Sequence, residues 1–278
     1  MTPRELIRRT AEQFRRAGIP DPETDAALLL SHLTGRPQLE LRLDLSSELS
    51  PETVLSFEEL TEKRLMHIPL QYLLGEAPFY RRMFLVDHRV LIPRPETELL
   101  CEWALEEIKP VSSPRVLDLC CGSGCIGLTL KAEHPAASVI LSDISSDALD
   151  VAAANASRLA LEVSFRQADL LEGFDPASLD LIVSNPPYIP SEDCDTLQPE
   201  VLREPRLALD GGPDGCDLYR RIAAGAKTVL VSGGKLMMEL GIGEAHRLSA
   251  LLADLGYRDI RIRKDYAGID RMILAVNP

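Results

Sequence analysis

Apolar positions change their rhythm along the chain. Through roughly the first 70 residues they recur at three- and four-residue intervals, the period of a helix with one buried face. Thr2-Pro3-Arg4-Glu5 has the form of a capping box with proline in the first turn. Leu6, Ile7 and Phe14 follow as a stripe, and Gly18 supplies the stop. Asp21-Pro22 opens a second helix, Ala26 to Leu33, with Gly35 behind it; Ser50-Pro51-Glu52 opens a third carrying Val54, Leu55, Leu60 and Leu65. This region predicts a small helical bundle and carries no candidate chemistry. From Pro69 the texture changes. After Pro78-Phe79-Tyr80, the runs Met83–Val86 and Val90–Ile92 read as a β-hairpin, and an amphipathic helix follows from Glu98 to Ile108. Beyond it, strands at 116–119, 139–141, 163–165, 179–183, 235–240, 260–262 and 272–276 alternate with helices at 125–132, 147–159, 218–230 and 244–255. Such alternation predicts an α/β fold, a mainly parallel Rossmann-like sheet with helices on both faces. No helix separates the last two strands, so they should pair antiparallel.

Composition narrows the class. A chain of 278 residues suits two domains. With 45% hydrophobic and 26% charged residues, disorder and coiled coil are excluded, and at 5% aromatics the core must be Leu, Ile, Val and Ala. The net charge of −13 argues against nucleic acid as the main partner, since phosphate neutralisation supplies most of that affinity. No apolar run is long enough for a membrane span, and MTPRELIRRT has no signal-like apolar core. A cytoplasmic location is expected, with the six cysteines reduced. Cys120, Cys121 and Cys125 contain no CxxC pair, and His32, His67, His88, His134 and His246 form no ligand frame. No metal is expected; the cysteines read as small fillers beside a glycine turn.

That turn is the first candidate site. Asp118-Leu119-Cys120-Cys121-Gly122-Ser123-Gly124 joins a strand to a helix, where glycine lets backbone approach a ligand. Asp143 ends the next strand and can hold both hydroxyls of a ribose; Asp169 follows the third, where it can flank an adenine. Taken singly, Asp143 reads equally well as a helix cap and Asp169 as a loop carboxylate. Gly127 would complete a dinucleotide fingerprint, but the fourth strand argues otherwise. Asp180–Ser184 runs straight into Asn185-Pro186-Pro187-Tyr188. The prolines fix φ and lack N–H groups. Asn185 Oδ1 and the Pro186 carbonyl are therefore rigid acceptors that suit a planar NH₂ group. Tyr188 is expected to pack its ring on that group.

Asn-Pro-Pro-Tyr at this place resembles the S-adenosylmethionine-dependent methyltransferases that act on planar amino or amide nitrogens. Gln71–Gly75, Leu91–Glu98, Ser184–Ile189, Glu204-Pro205, Ala208–Gly212 and Ala267–Arg271 narrow the resemblance to the release-factor glutamine methyltransferases, the HemK or PrmC family. The resemblance implies a helical substrate-recognition domain at 1–75, a β-hairpin linker at 76–95 and a seven-stranded methyltransferase domain at 96–278. It implies an enzyme that methylates the side-chain amide nitrogen (N5) of the glutamine in the Gly-Gly-Gln motif of peptide chain release factors. S-adenosyl-L-homocysteine would be the product. Cofactor-binding residues would be Cys120, Cys121, Gly122, Ser123, Gly124, Asp143, Asp169, Leu170 and Asn185. Asn185, Pro186, Pro187 and Tyr188 would bind substrate, with Asn185, Pro186 and Tyr188 catalytic. The family usually has glycine where this chain has Cys120. The loop at 190–215 is expected to flank the glutamine's entry path, and the chain is expected to be a monomer. Competing readings are an N6-adenine nucleic-acid methyltransferase and a non-catalytic nucleotide-binding protein.

Overall fold

The computed structural model describes residues 1–278, which divide into two compact units: Met1–Glu76 with Gln198–Arg203, and Ala77–Leu197 with Glu204–Pro278. In the first, α1 (Pro3–Arg16), α2 (Pro22–Thr34), α3 (Gln38–Leu43), α4 (Pro51–Leu65) and α5 (Leu70–Leu74) enclose Leu6, Phe14, Leu29, Leu30, Leu41 and Phe57. The capping box forms as expected: Thr2 Oγ1 accepts from Glu5 N, and Thr2 N donates to the Glu5 carboxylate. Gly35 ends α2 in the left-handed region at φ 68°. The short α3 and α5 are additions to the sequence reading, because so few residues show no helical period.

From Ala77 the hairpin segment clusters with the second unit. The hairpin pairs β1 (Glu76–Phe79) with β2 (Arg82–Leu85), turning at Tyr80 and Arg81 with φ 45° and 64°. Val90–Ile92 is not its second strand. Pro93 follows at once, and the Ile92 N–H donates to the Glu204 carboxylate at 2.9 Å instead of to a strand.

The main sheet holds β3 (Arg115–Leu119), β4 (Ser138–Asp143), β5 (Ser164–Gln167), β6 (Leu179–Ser184), β7 (Leu230–Glu239), β8 (Arg258–Lys264) and β9 (Asp270–Val276), in the order β5-β4-β3-β6-β7-β9-β8. All neighbours are parallel except β9, which is antiparallel to both β7 and β8. Alternate strand residues face opposite layers. Val116, Leu181, Val183 and Met237 pack with α6 (Pro95–Ile108), α7 (Cys125–Glu133) and α8 (Ser146–Arg158), around Trp103 and Leu128. Leu117, Ile182, Leu236 and Met238 pack with α9 (Asp217–Val229) and α10 (Ala245–Asp254), around Tyr219 and Leu248. Strand order reverses beside β3, which places a crevice at the carboxyl ends of β3 and β6.

Candidate active site

The turn leaving β3 is built from both ends. Asp118, fully buried, accepts from the Gly127 N–H at 2.7 Å, and burial pushes its carboxyl well up. A Cβ on Gly127 would lie 2.3 Å from Leu141 Cδ2 and 2.9 Å from Asp118 Cβ, so only glycine lets α7 pack this closely. Cys120 and Gly122 both take left-handed backbone, at φ 58° and 52°. The Gly122 N–H thereby meets Asp143 Oδ2 at 2.9 Å, across from β4. Asp143 Oδ1 accepts from Ser145 N at 3.0 Å. Ser145, not Asp143, caps α8, accepting from Ala148 N. Burial raises the Asp143 pKa, and these backbone donors oppose the rise.

A cavity of about 280 Å³ opens over these strand ends. Cys120 to Ser123, Asp143, Asp169, Leu170, Asn185 and Pro187 line it; Gly124, Pro186 and Tyr188 do not. Asp169 is half-exposed and pairs with Arg221 of α9 at 2.8 Å. Leu170, at φ 53° and 8% exposed, presents an apolar side chain. Arg89–Arg94 forms a further wall. Glu204 holds that wall: its buried carboxylate takes the Ile92 N–H and the Arg94 guanidinium. Pro205, Leu207 and Asp210, from the long segment after β6, also line the cavity. No three of the His, Cys, Asp and Glu side chains come together as a metal site.

The Asn185 amide is held from behind. Its Nδ2 donates to Thr97 Oγ1 at 3.2 Å, and Thr97 Oγ1 donates to Glu239 Oε2 at 2.6 Å. Glu239 ends β7 with 2% exposure, and burial pushes its carboxyl up to about 7. The Tyr188 hydroxyl donates to Glu239 Oε1 at 3.4 Å, and the Tyr188 ring lies against Gly241. The Tyr188 ring thus braces the turn from the side of Glu239, because a buried phenol needs a hydrogen-bond partner and Glu239 is the one at hand. Thr97 and Glu239 escaped the sequence reading. Thr97 lies within the Leu91–Glu98 motif without a role of its own there, although Glu239 does stand out as the one charge inside Leu236–Leu240.

Residues 96–212 match the family model "Methyltransferase small domain", and residues 5–75 match "PrmC N-terminal domain". A release factor glutamine methyltransferase of Deinococcus radiodurans is 40% identical over 272 residues, covering 98% of this chain and 97% of the relative. One from Chlorobaculum tepidum is 42% identical over 279 residues, covering 96% and 94%. The chain belongs to the release factor glutamine methyltransferase family. A methyltransferase from Pyrococcus furiosus shares the fold, with TM-score 0.53 at 16% identity over 70% of this chain and 88% of that one.

In this member of the release factor glutamine methyltransferases the cradle fits a nucleoside-bearing cofactor. Asp143 can accept from a diol, the open space beside Gly122 leaves room for close approach, and Ile126, Ala148 and Leu170 offer apolar surface to a base. Cys120 takes a positive φ, which strains a side-chain-bearing residue.

Proposed function

We propose that the protein methylates the side-chain amide nitrogen of the Gly-Gly-Gln glutamine in peptide chain release factors, with S-adenosylmethionine as donor. One observation carries the reading. Asn185 lines the cavity with its Nδ2 engaged by Thr97, which leaves Oδ1 without a protein donor at the mouth of a Pro-Pro turn. The family's name supports release factors as substrate.

S-adenosylmethionine, when bound, supplies an electrophilic methyl on a positively charged sulfur. Cys120 to Gly122, Asp143, Asp169 and Leu170 would hold it. The protein's own task is to place the acceptor. An amide nitrogen is a weak nucleophile because its lone pair is delocalised into the carbonyl. Asn185 Oδ1, at the cavity, and the carbonyl of Pro186, the next residue of the turn, would take its two N–H bonds, which orients the nitrogen and favours the positive charge that grows there. Fixed orientation of two reactants is worth up to about 7–11 kcal/mol in favourable systems. The nitrogen becomes acidic only as the new bond forms, so its proton can pass to water without a side-chain base.

Intact-mass measurement of an unmethylated release factor, incubated with the protein and S-adenosylmethionine, tests this. A gain of about 14 Da located on the Gly-Gly-Gln glutamine is expected for a single methyl. No gain on the factor, with methylation of adenine in DNA, would overturn the reading in favour of a nucleic-acid substrate.

A further inference from the structure

Resting on that reading of Asn185, the hydrogen bonds behind it explain why the amide faces the right way. Asn185 has two ends, an oxygen that accepts and a nitrogen that donates. Only the oxygen can receive a substrate N–H. The amide itself is nearly symmetric in shape, so packing alone does not choose between them.

The choice comes from Glu239. A carboxylate only accepts, and a hydroxyl has one proton. With Glu239 Oε2 at 2.6 Å, the Thr97 proton points at the carboxylate. Thr97 therefore turns a lone pair toward Asn185, and only the NH₂ end of the amide can pair with it, as the 3.2 Å contact from Nδ2 records. Oδ1 is left facing the cavity. A protonated Glu239 can instead donate to Thr97. The Thr97 proton is then free to bond Asn185 Oδ1, and the amide can turn its NH₂ end toward a substrate NH₂. We infer that Glu239, acting through Thr97, is a positioning residue that holds Asn185 as an acceptor for the substrate amide.

The groups around Glu239 fix the sign of its pH response. The Tyr188 hydroxyl faces Oε1 at 3.4 Å, and Tyr219 of α9 donates to the Glu239 carbonyl at 2.9 Å. Arg271 of β9 favours the ionised form and Glu96 of α6 opposes it. The thiols of Cys101 and Cys125 also face this charge, and burial keeps both neutral. Burial of Glu239 outweighs Thr97 and Arg271 and moves the carboxyl up to about 7. The ionised, orienting form is thus gained as pH rises through 7.

The test is steady-state turnover on an unmethylated release factor against pH, both substrates saturating. Calorimetric S-adenosylhomocysteine binding and a thermal melt serve to show that each variant is folded. The wild-type kcat should rise with pH around a midpoint near 7. Thr97→Val should lower kcat about tenfold, with both KM values changing less than about twofold. Thr97→Ser should recover most of that loss. Glu239→Gln should lower kcat and abolish the acid limb, because a glutamine can turn either end to Thr97. Should Glu239→Gln fail to fold, the Thr97 pair decides. Thr97→Val with wild-type kcat and pH profile overturns the inference, as does an unchanged acid limb in folded Glu239→Gln. Asn185→Ala separates the two claims. If it loses turnover while Thr97→Val does not, only the relay is wrong; if it keeps turnover, the acceptor reading itself fails.

Discussion

In the helical unit, Arg64 and Asp25 are both buried and face each other at 2.8 Å. Arg64 also reaches Glu200 at 3.0 Å, within the Gln198–Arg203 segment that belongs to the same unit. In the sheet unit, Asp118, Asp143 and Glu239 stand at the last or next-to-last positions of β3, β4 and β7. Their partners are backbone N–H groups and hydroxyls, not opposite charges. Charge in the first unit is matched and closed off, which serves architecture. Even so, burial raises the Asp25 pKa despite the guanidinium, so the pair does not fully recover its desolvation. In the second unit Asp143 and Glu239 orient groups that face a cavity, while Asp118 anchors the first turn of α7 behind it. The difference teaches how to read buried charge: a carboxylate paired with a guanidinium, as Asp25 with Arg64 or Glu204 with Arg94, fixes a wall, whereas a carboxylate held by neutral donors, as Asp143 and Glu239 are, orients groups at the cavity.

Four substitutions press on that contrast, in order of expected effect. Arg64→Ala strands Asp25 in the helical core and should cost about 3–5 kcal/mol of that unit's stability by denaturant unfolding. S-adenosylhomocysteine affinity should stay as it was, and replacing both Arg64 and Asp25 by leucine should restore stability. Asn185→Ala should act oppositely, lowering kcat by about 10²–10³, the scale of a lost charge-stabilising hydrogen bond, with little change in melting temperature. Asp143→Asn should weaken cofactor binding by about 10–100-fold in calorimetry, since a charged acceptor is replaced by a neutral one. Cys120→Gly relieves the left-handed strain at φ 58° and should stabilise the protein by about 1 kcal/mol, read as a small rise in melting temperature. A loss of stability there would mean that the Cys120 side chain packs well enough to offset its backbone.

How much of this is visible in the sequence depends on distance along the chain. Helix caps, the alternation of strand and helix, and the turns at Cys120–Gly124 and Asn185–Tyr188 are local, because the residues that fix the backbone are the residues that show the pattern. The antiparallel final strand follows from a missing helix. Val90–Ile92 misled because an apolar triplet looks like a strand until its N–H is found on Glu204, 112 residues away. Thr97 and Glu239 are 142 residues apart, and their bond exists only once α6 lies beside β7. The position of Tyr188 was hidden for the same reason: its partners, Glu239 and Gly241, belong to a strand and loop made some 50 residues later.

The placement of β9 has a consequence for how the chain is made. β9 follows β8 in synthesis yet lies between β7 and β8 in the sheet. A growing polypeptide that has completed the Gly122 turn, Asn185 and β7 therefore still carries an open strand edge. That edge, Lys235–Glu239, is paired only when residues 272–276 emerge. Open edges recruit strands from other chains. Nascent protein should accordingly depend on ribosome-associated protection until its last strand is released, and ribosome stalling just before Asp270 should leave it protease-sensitive.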